Sequence, residues 1–357
     1  MRLLPCFALL ALTAVTEAQD FDFRGIPAEH AIVIASSSTR GLRIAEAPEA
    51  KALKAKLEQL AAPQTKAQQE MAAALRLAAG IDLQSPDNHF SLGLTPLADG
   101  KFSAGAVFHV RHDREKLAAH AAAQNIPTLS AGDTSGWSAQ ELLSSFGGAW
   151  GQTAKTMIGA VEAQAGGEAV GIFDLDADTL ILAAPSEAAR MIALYKGQGS
   201  SYALPPQLQA QAAKTGRPYA IMALNAARLP ASPGLTKSGL QDMLVAMGED
   251  TTDQVLKVSA LFADETKATP YAKQARGMIA MLPLMTAGNP TKPQSAEDKE
   301  MKAMLGEMLA GIRPVESAGQ EITLNAAWET ARFCTILGRM AEINAAKSAS
   351  LRTAQGK

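Results

Sequence analysis

Cysteine is scarce: the chain holds two in 357 residues, Cys6 and Cys334. Cys6 falls inside an apolar N-terminal run, so removal of that run leaves Cys334 alone and no intramolecular disulfide can form. Stability then rests on an ordinary core, which a chain of this length and 47% apolar content can build. An excess of one charge is also lacking. Lys and Arg number 33 against 35 Asp and Glu, a net charge of −2 with no basic stripe, which argues against electrostatic capture of nucleic acid. No segment reaches the roughly twenty apolar residues of a membrane-spanning helix, so no transmembrane span is expected in the mature chain. The sequence contains no Gly-x-Ser-x-Gly elbow, no Walker loop and no Cys-x-x-Cys pair.

What stands at the N-terminus reads as an export signal. Arg2 supplies a positive start, Leu3 to Val15 are almost uniformly apolar, and small residues follow at Thr16 and Ala18. Cleavage after Ala18 is expected, with 1–18 as signal peptide and the mature protein in the periplasm, the outer cell envelope or the secreted fraction. Pro5 before Cys6, within the apolar run, argues against a lipid-anchored precursor.

Helical spacing appears at Leu53, Leu57 and Leu60, and again at Met71, Leu75 and Ala78 behind a Thr65-x-x-Gln68 capping box. Ser138-x-x-Glu141 opens another helical stretch, and Met157, Ile158 and Val161 follow before Gly166-Gly167. Strands are expected at 31–35, 90–94 and 102–110, the last two joined at Asp99-Gly100, and in a hairpin of 170–174 with 180–184. Phe102, Ala104, Ala106, Phe108 and Val110 alternate with polar or small residues, which predicts a strand with one buried face.

The segment 173–196 lies over 315–338 without a gap, matching Leu182 to Leu324, Ala184 to Ala326, Glu187 to Glu329, Ala189 to Ala331 and Arg190 to Arg332. Weaker echoes join Ala31-Ile32 to Ala220-Ile221 and Ala106-Val107-Phe108 to Ala260-Leu261-Phe262. The expected organisation is a first half at 19–198, a linker at 199–217, a second half at 218–345 and a flexible basic tail at 346–357. The expected fold class is α+β, two similar halves with antiparallel sheets covered by helices, of split βαβ or ferredoxin-like character. The strand at 255–262, the amphipathic helix at 265–282, a further helix, the strand ending at Leu324 and a closing helix together resemble uncharacterised exported, duplicated α+β envelope proteins of Gram-negative bacteria. That resemblance covers about the last 140 residues and implies fold and compartment, with no catalytic motif attached.

Four of the five histidines, His89, His109, His112 and His120, fall within 32 residues, and His109, His112 and Asp113 are the candidate metal ligands. Against that role, a continuing strand would put His109 and His112 on opposite faces, and Asp113 suits a helix N-cap before Arg114. No metal and no cofactor is therefore expected. Asp133-Thr134-Ser135 lacks the Gly of an aspartic-protease signature, and Asp174-x-Asp176-x-Asp178 lacks the Gly and Glu of a calcium loop. Lys237-Ser238-Gly239 has no Ser-x-x-Lys to accompany it.

Methionines repeat at i, i+3, i+7 as Met278, Met281, Met285 and as Met301, Met304, Met308. Thioethers so spaced line a helix face that serves as core, as an interaction groove or as a Cu(I) site. The functional expectation is an exported, non-enzymatic protein that binds an envelope protein or a small ligand. A secreted hydrolase assembled from distant residues and a Met/His metal-binding protein are the alternatives.

Overall fold

A computed structural model describes residues 21–37, 42–60, 72–82, 85–97, 100–230, 233–287 and 295–355. The segment 1–18 read as a signal, the Thr65 to Gln68 box, Met71 and Asp99 lie outside the described residues, as does the side chain of Met285.

The chain runs β1 (Ile32–Ser36), α1 (Arg43–Glu46), α2 (Pro48–Leu60), α3 (72–79), β2 (His89–Pro96), β3 (Phe102–His109) and α4 (Arg114–Ala123). It continues through β4 (Thr128–Ala131), β5 (Thr134–Ser138), α5 (Ala139–Ser145), α6 (Gly148–Gln164), β6 (Gly171–Asp176), β7 (Thr179–Ala183), α7 (Pro185–Tyr195) and α8 (Pro206–Ala213). The remainder is β8 (Arg217–Asn225), α9 (Pro233–Ser238), β9 (Leu240–Asp250), β10 (Asp253–Phe262), α10 (Glu265–Ala287), α11 (Ala296–Ala310), β11 (Glu316–Ala318), β12 (Glu321–Glu329) and α12 (Thr330–Gln355). The segment read as a linker holds α8, and the segment read as a tail lies within α12 as far as Gln355.

The fold is α+β, and its strands form one sheet of twelve in the order β11-β12-β10-β9-β8-β1-β2-β3-β7-β6-β5-β4. This corrects the expectation of separate sheets, because β1 pairs with β2 on one side and with β8 on the other. Every strand pairing is antiparallel; β10 and β11, joined through α10 and α11, flank β12, and β3 and β6 flank β7.

Side-chain alternation distributes the core over both faces of the sheet. On one face Val33, Ala35, Val107, Phe173, Ile181, Ile221, Ala223, Leu244 and Ala246 meet Ala188, Met191 and Ile192 of α7 and Leu208 and Ala212 of α8. On the other, Phe108, Leu180 and Ile172 pack on α3, α4 and α5 through Leu75, Leu117 and Leu142. Farther along, Phe262 and Ile322 pack on Ala268 and Ala272 of α10. Strand β3 is therefore covered on both sides at its centre, where one-sided burial was expected, since Ala106 and Val107 are buried together.

A buried polar network ties β8, β9 and β10 to the helices. Tyr219 donates to Gln254 Oε1 at 3.1 Å, and Gln254 Nε2 donates to Glu249 Oε2 at 3.1 Å and to Thr330 Oγ1 at 2.9 Å. The Ile44 N–H closes it by donating to Glu249 Oε2 at 3.0 Å. Among the described residues no helix is long and apolar enough to cross a membrane.

Candidate functional site

Pro185 begins α7 and Glu187 sits in its first turn, where a fixed φ and a carboxylate suit a helix start. From there Glu187, Met191 and Tyr195 recur every four residues on the helix side that meets β3. Met191 lies against Gly105, where any Cβ would collide with its sulfur. Two polar clusters flank that contact, one at each end of the helix.

At the Tyr195 end, β2 and β3 place His89 directly opposite His109, with their rings stacked at 4.3 Å. The segment before β1 brings in Asp22, whose carbonyl accepts a hydrogen bond from Ser91 Oγ. His109 Nε2 lies 3.5 Å from Asp22 Oδ2. One ligand atom from each of Asp22, His89 and His109 lies within 4.8 Å of the others. His89 Nδ1 is 3.0 Å from the Asp87 carbonyl, so that nitrogen carries the donated proton. Burial first, and the charge on His89 second, push His109 down to about 4. Burial works to raise Asp22, yet the hydrogen bonds from Arg24 outweigh it and hold the carboxyl below its ordinary value. Arg24 grips both Asp22 oxygens and lies over the Tyr195 ring, 5.2 Å from its centroid.

At the Glu187 end, His30 Nδ1 is 2.9 Å from Thr95 Oγ1, while Nε2 lies 3.3 Å from Glu187 Oε1 without the alignment of a hydrogen bond. Ser103 donates to Glu187 Oε2 at 3.1 Å. Hydroxyl, imidazole and carboxylate thus stand in series, the order used by serine hydrolases. The His30 ring, however, lies flat on Gly93, where a Cβ would fall inside the ring's contact distance, and only 2% of the residue is exposed. A substrate carbonyl has no room beside that imidazole, so the cluster acts as packing.

The candidate ligands of the sequence are divided. His109 joins the cluster just described, whereas His112 is turned away and bonds Val110 O at 2.9 Å and Asp174 Oδ1 at 3.2 Å. Burial opposes a charge on His112, but the bonds to Asp174 and Val110 prevail and raise its pKa above 6.5. Asp113 caps α4 by accepting from the Lys116 N–H. Asp22 and His89 were not read as ligands. A signal did exist: His89 and His109 stand equally far from Asp99, so a hairpin turning there puts them opposite each other.

Other motifs resolve into local structure. Asp133 is exposed in the turn between β4 and β5. In the β6–β7 hairpin, Asp174 faces His112 and Arg114, while Asp176 accepts from the Asp178 N–H, so the three carboxylates do not converge. Ser238 Oγ accepts from the Leu240 N–H. Of the methionines, Met301, Met304 and Met308 pack with Ile336, Met340 and Ile343 of α12. Met278 and Met281 are exposed at 57% and 56%.

No family model and no curated protein matches the chain. Among solved structures it is similar to the Treponema pallidum protein TP0453, at 7% identity in both crystal forms compared. Crystal form I aligns over 91% of this chain and 97% of that one with a TM-score of 0.36. Crystal form IV aligns over 89% and 97% with a TM-score of 0.40. The likeness is one of fold outline and carries no chemistry to this chain.

Proposed function

We propose that the protein is exported and works as a non-enzymatic binding protein of the cell envelope or extracellular space, engaging a partner protein through the methionine-bearing face of α10. One observation carries this reading. Met278 and Met281 are 57% and 56% exposed on a helix that buries Ala268 and Ala272 against the sheet. Exposed apolar side chains grouped together are a feature of interaction surfaces. Unbranched thioethers let such a surface adapt to a partner helix.

The non-enzymatic part draws support from the enclosed His30 ring and from the structural use of His112 and Asp113. Export draws support from the sequence of residues 1–18, and N-terminal sequencing of the mature protein is expected to start at Gln19.

Origin by duplication belongs to the same proposal. The strand order β1-β2-β3-β7-β6 on one side of the β1–β8 pairing repeats as β8-β9-β10-β12-β11 on the other, save that the β4–β5 hairpin intervenes between β3 and β6. The repeated segments 173–196 and 315–338 fall on β6-β7-α7 and β11-β12-α12, each a hairpin that runs into a helix.

The test is in-cell photo-crosslinking with a reactive residue in place of Met278 or Met281. Both positions are expected to yield the same discrete protein adduct, with none from Lys116 on the exposed side of α4. Silence at both positions, or adducts no different from those at Lys116, would overturn the reading.

A further inference from the structure

The cluster at the Tyr195 end of α7 has the composition of a transition-metal site. Two imidazoles and one carboxylate are the donor set that zinc-class divalent ions take in preference to magnesium or calcium, which favour oxygen alone. We propose that His89, His109 and Asp22 bind one divalent transition ion, with zinc as the representative, and that Arg24 competes with the ion for the Asp22 carboxylate.

Three features of the geometry point the same way. His109 Nε2 is buried without a hydrogen-bond partner, on a side chain that is 10% exposed. A buried imidazole nitrogen in that state is costly unless something else satisfies it. The Asp87 carbonyl orients His89 as outer-shell carbonyls orient zinc-bound histidines, by taking the proton of the nitrogen that does not bind. Finally, tetrahedral zinc holds its ligand atoms about 3.3 Å apart. His109 Nε2 and Asp22 Oδ2 already stand at 3.5 Å, and the full set lies within 4.8 Å.

Closure of the site needs only side-chain motion. The two rings, now 18° from parallel, must tilt so that both nitrogens point at one ion. Their strands are fixed by pairing on both sides, β2 by β1 and β3 by β7, so the rings approach a common point from a rigid base. Arg24 must release at least one Asp22 oxygen, and its side chain, 63% exposed, has solvent to move into. Water completes the fourth position. The bound ion would fasten the segment before β1 to the ends of β2 and β3, opposite the hairpin connection.

The experiment is zinc titration of the metal-free mature protein against a chromogenic chelator, with thermal unfolding as a second readout. One zinc per chain is expected, with a rise in Tm that magnesium does not reproduce. His89→Gln and His109→Gln each weaken binding at least about a hundredfold, and His120→Gln, distant from the site, leaves it unchanged. Arg24→Gln tightens binding, a gain that no misfolded variant can imitate. His89 is partly exposed, so His89→Gln is expected to keep the native Tm of the metal-free protein even if His109→Gln does not. Absence of stoichiometric zinc, or zinc held equally well by His89→Gln, overturns the proposal. Unchanged or weaker binding by Arg24→Gln overturns the competitor role.

Discussion

His112 shows how a single side chain can be functional in appearance and structural in use. Both of its nitrogens face acceptors, Val110 O and Asp174, so the ring is best satisfied when it carries two protons. Arg114 stands on the other Asp174 oxygen and is the remaining charge facing the pair. The pKa of His112 is raised above 6.5, so its contribution to stability is full below that value and is lost as pH rises through the folded-state pKa. Asp174 is the converse: burial would raise it, but His112 and Arg114 hold it below 3.8, and its contribution is lost as pH falls through that lowered value. The pair is therefore at full strength between 3.8 and 6.5. His112→Ala is expected to cost about 2 kcal/mol at about pH 5 and clearly less at about pH 9, as measured by urea unfolding at the two values. An equal cost at both would mean that His112 is neutral in the folded protein. His30, Thr95 and Glu187 were beyond any residue-level reading, since they come from three separate elements and share no spacing.

Among the elements, those with strong local signals were legible. The 170–184 hairpin alternates cleanly around an Asp-rich bend, and Ser138 and Asp113 cap helices where their positions implied. Strand β9 was not legible, because Gln241, Asp242, Met243 and Met247 blur its alternation, and only pairing with β8 and β10 reveals that Leu244 and Ala246 share a buried face. The six methionines also needed the fold. Met304 is buried beneath α12 while Met278 and Met281 face outward, although both triplets have the same spacing. Helix α12 brings its own test. Cys334 is buried where that helix packs on Ala50 and Leu53 of α2, and burial, with the Glu49 charge, pushes the thiol up to about 11. A thiol reagent at mildly alkaline pH is expected to leave Cys334 unmodified in the native protein and to label it in denaturant. Rapid labelling of the native protein would mean that α12 separates readily from α2.

For the whole molecule, the decisive pairing is β1 with β8, which extends five residues from Ile32↔Leu224 to Ser36↔Ala220. It was not legible in the sequence, because pairing between strands nearly two hundred residues apart leaves no local mark. The core respects the same continuity: Val33, Val107 and Ile181 share a cluster with Ile221, Leu244 and Ala246. The chain is therefore expected to unfold in a single calorimetric transition, with agreement between calorimetric and van't Hoff enthalpies; two separated peaks would show that the strand blocks are independent. The sheet finally ends on β4, four residues long, and β11, three residues long, with all of β11 exposed. An open sheet could in principle recruit strands from neighbouring molecules without limit. Here an arriving strand finds only three or four residues of backbone to grip, too few to hold it, so the assembly sets its own width at twelve and resists fibre growth by brevity at its borders.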